Sequence, residues 1–334
     1  MEFVKKTYKP KDEKVKKLTK YFTELKIVKP ANCDLFTKTT ILLFLLTGAF
    51  AQAEALRVAS LSTVMSDIAR QVGGDRVELI EIVKPGVDPH IYEPTPGDLK
   101  KISKAQILLA SGLGFEGYLE KLRSSVAKSG VRFVVAGDVV SPIEAAESPH
   151  DHDHHGHAHD HAAPDPHWWH SIANVQVVTR QIRDAFLAAD PEGRALYEAN
   201  AAGFDARLAA LSKSVRLQIA KLPKSRRNLV TSHDALGYFA KDYGFTIFPV
   251  QGISTADQPS SQKVRRLIQE IKARKVKAIF AENIENPKVL AQLTSETGAK
   301  AGGILYADGL GSGDASTYEG MMQSNVKTIV EALQ

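Results

Sequence analysis

Cysteine is almost absent from this sequence. The single example, Cys33, lies ahead of an apolar run at residues 39–51, so the chain that follows that run contains none. A protein body without cysteine folds without disulfide bonds, and a metal site within it uses histidines and carboxylates rather than thiolates. The missing cysteines therefore exclude a disulfide framework and limit the ligand types that a metal site can use.

The body of the chain also lacks an excess of charge of one sign. The formal net charge is +5, but the first 54 residues hold 11 lysines and 6 acidic residues, which leaves 32 basic and 32 acidic side chains for the other 280. Hydrophobic residues make up 43% of the sequence and charged residues 24%, as in an ordinary soluble globular protein. Because the basic surplus belongs to the N-terminus, we predict that nucleic acid is not a partner.

The apolar run TTILLFLLTGAFA at residues 39–51 is too short to span a bilayer comfortably as a helix. It has the length of the hydrophobic region of a signal peptide, with a lysine before it and small residues at its end. We predict a secreted, periplasmic protein whose signal peptide is cleaved after Ala51 or Ala53; an uncleaved anchor is the alternative. The lysine-rich stretch ahead of the run is long for a signal peptide, which suggests a translation start near Val28 or Leu35.

The chain does contain short apolar runs that alternate with helical segments. Eight runs have the length and composition of β-strands: 56–61, 77–83, 107–110, 132–135, 229–232, 246–250, 278–281 and 303–306. Strands separated by helices of this length form parallel βαβ units. We predict an α/β fold of two similar lobes, each a roughly four-stranded, mainly parallel sheet with flanking helices.

A long helical segment separates the two alternations. Residues 192–222 contain no proline, and their apolar positions recur at intervals of three and four. A helix of that length measures about 45 Å and joins two lobes as a rigid spar. The predicted division is an N-terminal extension with signal peptide, an N-terminal lobe, a linking helix and a C-terminal lobe, at residues 1–53, 54–190, 191–222 and 223–334.

Histidine is concentrated in one short stretch. Nine of the eleven histidines fall within residues 150–170, and the run HDHDHHGHAHDH at 150–161 lacks the apolar residues needed to bury a core. We interpret this run as a mobile loop that holds cations such as zinc; a tag-like or merely solvating tract is the alternative. The accessory metal ligands predicted here are His150, His152, His154, His155, His157, His159, His161 and His170.

The remaining histidines and one aspartate predict a second, more ordered site. His90, His233 and Asp308 each follow the carboxyl end of a predicted strand, where ligands gather in parallel α/β sheets. His90 and His167 each close an Asp-Pro-His triplet, in which proline restricts the backbone just before the imidazole. Three imidazoles and one carboxylate form a four-coordinate set suited to zinc, so the predicted ligands are His90, His167, His233 and Asp308.

Each of these residues also has a more ordinary interpretation. A single histidine after a strand is more often a helix cap or a surface residue than a ligand, and an aspartate before glycine is by default a turn residue. Glu282 and Glu285 follow another predicted strand and are alternative carboxylate ligands. Trp168 and Trp169 are expected to pack near the cleft between the lobes.

Several segments occur together and in this order: VKPGVDPHIYEPTPGDL, the histidine-rich insertion, DPHWWHS, DPEGRALYEANAAGFDARL, TSHDALGYFAKDYGF and ILYADGLG. On these segments, residues 56–334 resemble the zinc-type solute-binding proteins of bacterial metal ABC transporters. The resemblance implies two lobes bridged by a rigid helix, with one metal ion bound between them through the four predicted ligands. It also implies delivery of that ion to a membrane permease, and we expect a monomer that a zinc metallochaperone can also load.

Two positions modify what the resemblance implies. Manganese-type relatives tend to carry glutamate where this chain has His233, which favours zinc over manganese. Relatives commonly continue their Asp-Pro-His motif with Leu-Asp-Pro after the tryptophan, whereas this chain has His170, Ser171 and Ile172. We therefore expect His170 as an extra or competing ligand.

The expected function is capture of zinc and its delivery to an ABC importer. A periplasmic zinc metallochaperone or buffer that stores zinc on the histidine run is one alternative, and a manganese-type solute-binding protein is another. A zinc hydrolase is disfavoured because four protein ligands close the position that a catalytic zinc keeps open for water, and the sequence has no HExxH motif. We therefore predict a protein that is not an enzyme.

Overall fold

A computed structural model of the chain describes residues 54–144, 163–257, 259–283 and 288–334. Residues 55–334 belong to one compact unit that contains two four-stranded sheets. Within the described ranges, no helix is both long enough and apolar enough to cross a membrane. The predicted signal peptide, the histidine run at 150–161 and Glu285 lie outside the described residues, so the expectations for them stay predictions.

The N-terminal lobe is a parallel sheet with strand order β2-β1-β3-β4. Its central strand β3 reads ILLA and is buried throughout, as expected for a strand covered on both faces. Thr95 begins α2 with a capping box in which its side chain and that of Asp98 bond each other's backbone amides. The elements are β1 Leu56–Ser60, α1 Thr63–Gly73, β2 Val77–Glu81, α2 Pro96–Ile102, β3 Ile107–Ala110, α3 Leu119–Ser125 and β4 Arg132–Val135.

The C-terminal lobe repeats this arrangement with strand order β6-β5-β7-β8, again all parallel. The two-lobe α/β architecture predicted from the strand pattern is thereby confirmed. The elements are β5 Asn228–Thr231, α6 Gly237–Tyr243, β6 Thr246–Pro249, α7 Ser261–Arg274, β7 Ala278–Glu282, α8 Lys288–Thr297, β8 Lys300–Leu305 and α9 Tyr318–Leu333, while α4 Ile172–Ala189 and α5 Arg194–Ile219 lie between the lobes in sequence.

Strand β8 begins three residues earlier than the apolar pattern indicates, because two glycines interrupt that pattern. The ring of Phe280 on the neighbouring strand lies 2.6 Å from where a Cβ of Gly302 would stand, and Gly303 has a φ of +112°. The pairing of β7 with β8 shifts register at this point. Only a residue without a side chain fits there, so the strand continues through a stretch that hydrophobicity does not reveal.

Helix α5 has 26 residues and is about 39 Å long, somewhat shorter than the segment predicted from sequence. A separate 3₁₀ turn, Pro191–Gly193, precedes it. One face of α5 is buried and packs against α1 and α4 on one side and α9 on the other, so the helix contacts elements of both lobes. The residue numbers at which the sequence pattern divides the lobes remain a prediction.

A partly buried polar brace holds the junction between α4 and α5 against the start of β2. The guanidinium of Arg76 donates to both carboxylate oxygens of Asp190, at 2.5 and 2.8 Å, and the hydroxyl of Tyr197 donates to the same carboxylate at 2.6 Å. The hydrogen bonds from Arg76 lower the pKa of Asp190 to about 2. The ionised carboxylate therefore stabilises the fold.

We predict that Asp190→Asn lowers the melting temperature by several degrees at pH 7. Because the folded-state pKa of Asp190 is depressed, its contribution is complete above the unfolded-state pKa of about 4 and is lost as the pH falls toward 2. The difference between variant and wild type should therefore narrow over that pH window in thermal unfolding followed by circular dichroism. Glu198→Gln, which removes an exposed ion pair with Arg194, is the matched control and should leave the melting temperature nearly unchanged.

Candidate metal centre

The two sheets place four predicted ligands around one point. His233 follows β5 by two residues and Asp308 follows β8 by three, so both stand at the carboxyl edge of the second sheet. His90 lies in the loop between β2 and α2, and His167 lies directly before a 3₁₀ turn that leads into α4. The four side chains offer ligand atoms that all lie within 4.8 Å of one another. The structure thus brings together the set selected from sequence.

Four of the six distances within this cluster are near those of a tetrahedral site. The Nε2 atoms of His90 and His167 are 3.3 Å apart, and Oδ1 of Asp308 lies 3.1 Å from Nε2 of His233, 3.2 Å from that of His167 and 3.6 Å from that of His90. Four ligands at about 2.0–2.1 Å from a tetrahedral ion are spaced roughly 3.3 Å apart. The other two pairs lie within 4.8 Å, so the four groups are close enough together to hold one small divalent cation.

One carboxylate oxygen of Asp308 lacks a hydrogen-bond partner among the described residues. The carboxylate is buried, and the oxygen without a partner is Oδ2. A buried polar atom without a partner costs about 1–3 kcal/mol, and more when it is charged. A cation next to Asp308 supplies the missing interaction.

Two carboxylates behind the cluster orient two of the imidazoles. Asp165 lies 2.8 Å from Nδ1 of His167 and accepts from its backbone amide at 2.9 Å. Glu282 accepts from Nδ1 of His233 and, at 3.2 Å, from its backbone amide. A proton held on Nδ1 leaves the lone pair of Nε2 free to face a metal ion. Glu282, an alternative ligand in the sequence analysis, is instead placed behind His233.

Burial opposes charge on these groups, but their neighbours outweigh it. Burial lowers the pKa of His167, yet the nearby carboxylates of Asp165 and Asp308 raise it above its usual value, and the pKa of His233 is raised further. The imidazoles in turn hold the pKa of Asp308 well below its usual range despite its burial. Without a metal ion the cluster is stabilised by shared protons, so a cation that binds there displaces protons from the histidines.

His170 lies close by, but it contacts a backbone oxygen and is not one of the four clustered ligands. It is buried, and its Nε2 atom lies 2.8 Å from the backbone oxygen of Ala307, which also accepts from Nε1 of Trp169 at 2.8 Å. Burial lowers the pKa of His170 to about 4, so the ring is neutral near pH 7 and donates to that oxygen. Ala307 immediately precedes Asp308. His170 and Trp169 therefore fasten the backbone beside one ligand, a contact between residues distant in sequence that local reasoning did not find.

The family model and the relatives that this chain matches are all named for metal binding or metal uptake. The family model described as "ZnuA: Zinc-uptake complex component A periplasmic" matches residues 58–332. The iron-binding protein YfeA of Yersinia pestis is 32% identical over 305 residues, covering 89% of this chain and 94% of YfeA. The manganese-binding lipoprotein MntA of Bacillus subtilis is 31% identical over 290 residues, covering 84% and 90%. The periplasmic zinc-binding protein TroA of Treponema pallidum has a solved structure that superposes with a TM-score of 0.75 at 28% identity, covering 84% of this chain and 99% of TroA.

We predict that Glu282→Gln and Asp165→Asn each weaken binding of a divalent metal roughly 10- to 100-fold, because each change removes the carboxylate that orients a ligand imidazole. Competition titration against a chelator of known affinity measures the change. Glu331→Gln on the exposed face of α9 is the matched control and should bind as the wild type does. Unchanged affinity in both carboxylate variants would contradict the orienting role.

We predict that His170→Phe keeps the number of tight metal sites and lowers the melting temperature of the metal-free protein. The substitution removes the bond to Ala307 and leaves the four-residue cluster in place. Metal stoichiometry by equilibrium dialysis and thermal unfolding provide the two measurements. Loss of one bound ion without loss of stability would instead identify His170 as a ligand.

Proposed function

The chain belongs to the ZnuA family of periplasmic metal-binding components of uptake complexes, and we propose that it captures zinc between its two lobes and delivers it to an ABC-type importer. Members of this family are the substrate-binding components of metal ABC transporters and not enzymes. The relatives are named for iron, manganese or zinc, so the choice of metal rests on the donor atoms of this chain.

The donor set is the observation that carries the choice of zinc. Three imidazole nitrogens and one carboxylate oxygen converge with spacings near the tetrahedral value for a metal–ligand distance of about 2.0–2.1 Å. Manganese prefers oxygen ligands and a higher coordination number, whereas imidazole nitrogens suit zinc. His167, His233 and Asp308 are buried and His90 is partly buried, which shields the site from bulk water and supports tight binding of an ion that has lost its hydration shell.

Capture and delivery follow from the position of the site between two lobes. Ligands from the N-terminal lobe, His90 and His167, meet His233 and Asp308 from the C-terminal lobe, so a bound ion links the lobes and favours the closed arrangement. We expect a membrane permease to recognise the loaded, closed protein and to take the ion when the lobes separate.

The histidine run at 150–161 serves in this proposal as an accessory that collects zinc or receives it from a metallochaperone. The protein acts as a periplasmic monomer, secreted with cleavage after Ala51 or Ala53.

We predict that deleting residues 150–161 leaves one tight zinc site intact, whereas His167→Ala weakens that site at least tenfold. The reason is that none of the four ligand atoms of the cluster comes from the run, while His167 contributes one of them. Equilibrium zinc titration with a competing chelator measures both effects, and His157→Ala within the run is the control single substitution. If the tight site disappears with the run, the protein is a zinc buffer instead; if manganese outcompetes zinc at equal concentration, it is a manganese-type protein.

A further inference from the structure

The two Asp-Pro-His triplets form the same turn but use their aspartates differently. In each triplet the aspartate Oδ1 accepts from the backbone amide of the histidine at 2.9 Å. Asp165 then also holds Nδ1 of His167, within its own triplet. Asp88 does not repeat this contact: its Oδ2 accepts from the hydroxyl of Thr255, in the other lobe, at 2.7 Å.

His90 is consequently the least supported imidazole of the cluster. In the part of the chain that the structure describes, no carboxylate accepts from its Nδ1 atom, unlike those of His167 and His233. An edge contact with Phe115, with ring centroids 4.9 Å apart, borders it on one side. A cavity of about 400 Å³ adjoins it and is lined also by Tyr92, Tyr118 and Lys121. The position of His90 therefore depends mainly on its backbone, which Asp88 holds.

The loop that carries Thr255 is tied to another ligand. The backbone amide of Asp234, the residue after His233, donates to the oxygen of Gly252 at 2.9 Å. The amide of Gln251 donates to the oxygen of Ser232, also at 2.9 Å. These bonds fasten residues 250–252 along the backbone that presents His233.

The same loop is braced on its other side by side chains. Lys263 of α7 donates to the oxygen of Gln251 at 3.1 Å, and the side chain of Gln251 donates to the oxygen of Thr255 at 3.4 Å. A path of hydrogen bonds thus runs from His233 through this loop to Thr255, Asp88 and His90. It joins the same two ligands of opposite lobes that a metal ion joins.

We propose that Thr255 is a positioning residue that acts through Asp88 on His90, and that the Asp88–Thr255 hydrogen bond is a latch that slows release of the bound ion. The proposal rests on the zinc-capture function above. With the latch formed, His90 is held by its backbone against the other three ligands. With the latch broken, the His90 loop moves independently of the C-terminal lobe, and the ion loses its least supported ligand first.

The latch affects release more than capture. His167 and His233 keep their orienting carboxylates whether or not the latch is formed. Ala307, the residue before Asp308, likewise keeps its contacts with His170 and Trp169. An incoming ion therefore meets three preoriented ligands in either case. Because the contact of His90 with the ion forms after the ion has met the other three ligands, loss of the latch changes mainly the dissociation rate constant.

The test is stopped-flow transfer of zinc from the loaded full-length protein to an excess of a fluorescent chelator. Thr255→Val removes the hydroxyl and keeps the shape of the side chain. Because the hydrogen bond to the Asp88 carboxylate is lost, we expect the dissociation rate constant to rise roughly tenfold. The association rate constant should change less than about twofold. Thr255→Ser restores the hydroxyl and should restore slow release. Thr246→Val, the same change at an exposed position of β6, is the matched control and should release zinc as the wild type does.

A double-mutant cycle makes the pathway explicit. Because Thr255 acts through Asp88, Thr255→Val should add little to the effect of Asp88→Asn, whereas independent effects would multiply. Thr255→Ala serves as a second variant if valine packs poorly, and melting temperatures of the metal-free proteins confirm that the variants fold.

Wild-type release from both Thr255→Val and Thr255→Ala would overturn the latch, as would fast release from Thr255→Ser or multiplicative effects in the cycle. These results leave the zinc-capture proposal standing, because that proposal is tested separately, by zinc titration of the wild type, the deletion of residues 150–161 and His167→Ala. A wild type that binds no zinc tightly at the four-residue cluster would overturn both.

Discussion

The carboxylate of Asp308, buried among three imidazoles, is the interaction on which the rest of this structure depends. An ionised carboxylate away from water is costly unless positive charge surrounds it, and here shared protons or a cation supply that charge. One of its oxygens faces the Nε2 atoms of the histidines while the other has no partner among the described residues. The folded chain therefore places four potential metal ligands around one buried negative charge.

The fold concentrates its polar support around that position. The carboxyl ends of two parallel sheets and two connecting loops present the ligands, and the surrounding hydrogen bonds do not support all four in the same way. Asp165 and Glu282 orient two imidazoles from behind, and the pair Trp169 and His170 fastens the backbone that leads to Asp308. His90, whose Nδ1 has no such carboxylate among the described residues, depends instead on the backbone that Asp88 holds.

The sequence pattern and the observed fold agree over most of the described residues, and the disagreements have local causes. The alternation of short apolar runs with helical segments predicted eight strands, because each buried strand corresponds to one such run. Strand β8 was misplaced at its start because Gly302 and Gly303 carry no hydrophobic signal. The family resemblance, read from six segments, is confirmed by the match over residues 58–332. His170 marks a departure from the family pattern, and the structure gives it a bond to Ala307.

By itself the sequence determined the two parallel α/β lobes, the candidate ligands and the pair of Asp-Pro-His turns, because each depends on residues within a few positions of one another. Only the tertiary structure decided which carboxylates orient which imidazoles, that His170 lies against Ala307, and that Asp88 reaches Thr255 across 167 residues of chain. The twin triplets show the reason. Both aspartates accept from the backbone amide of their own histidine, but Asp165 also contacts the His167 ring whereas Asp88 contacts Thr255. The contact of Asp88 depends on how the two lobes meet, and no short-range pattern encodes that.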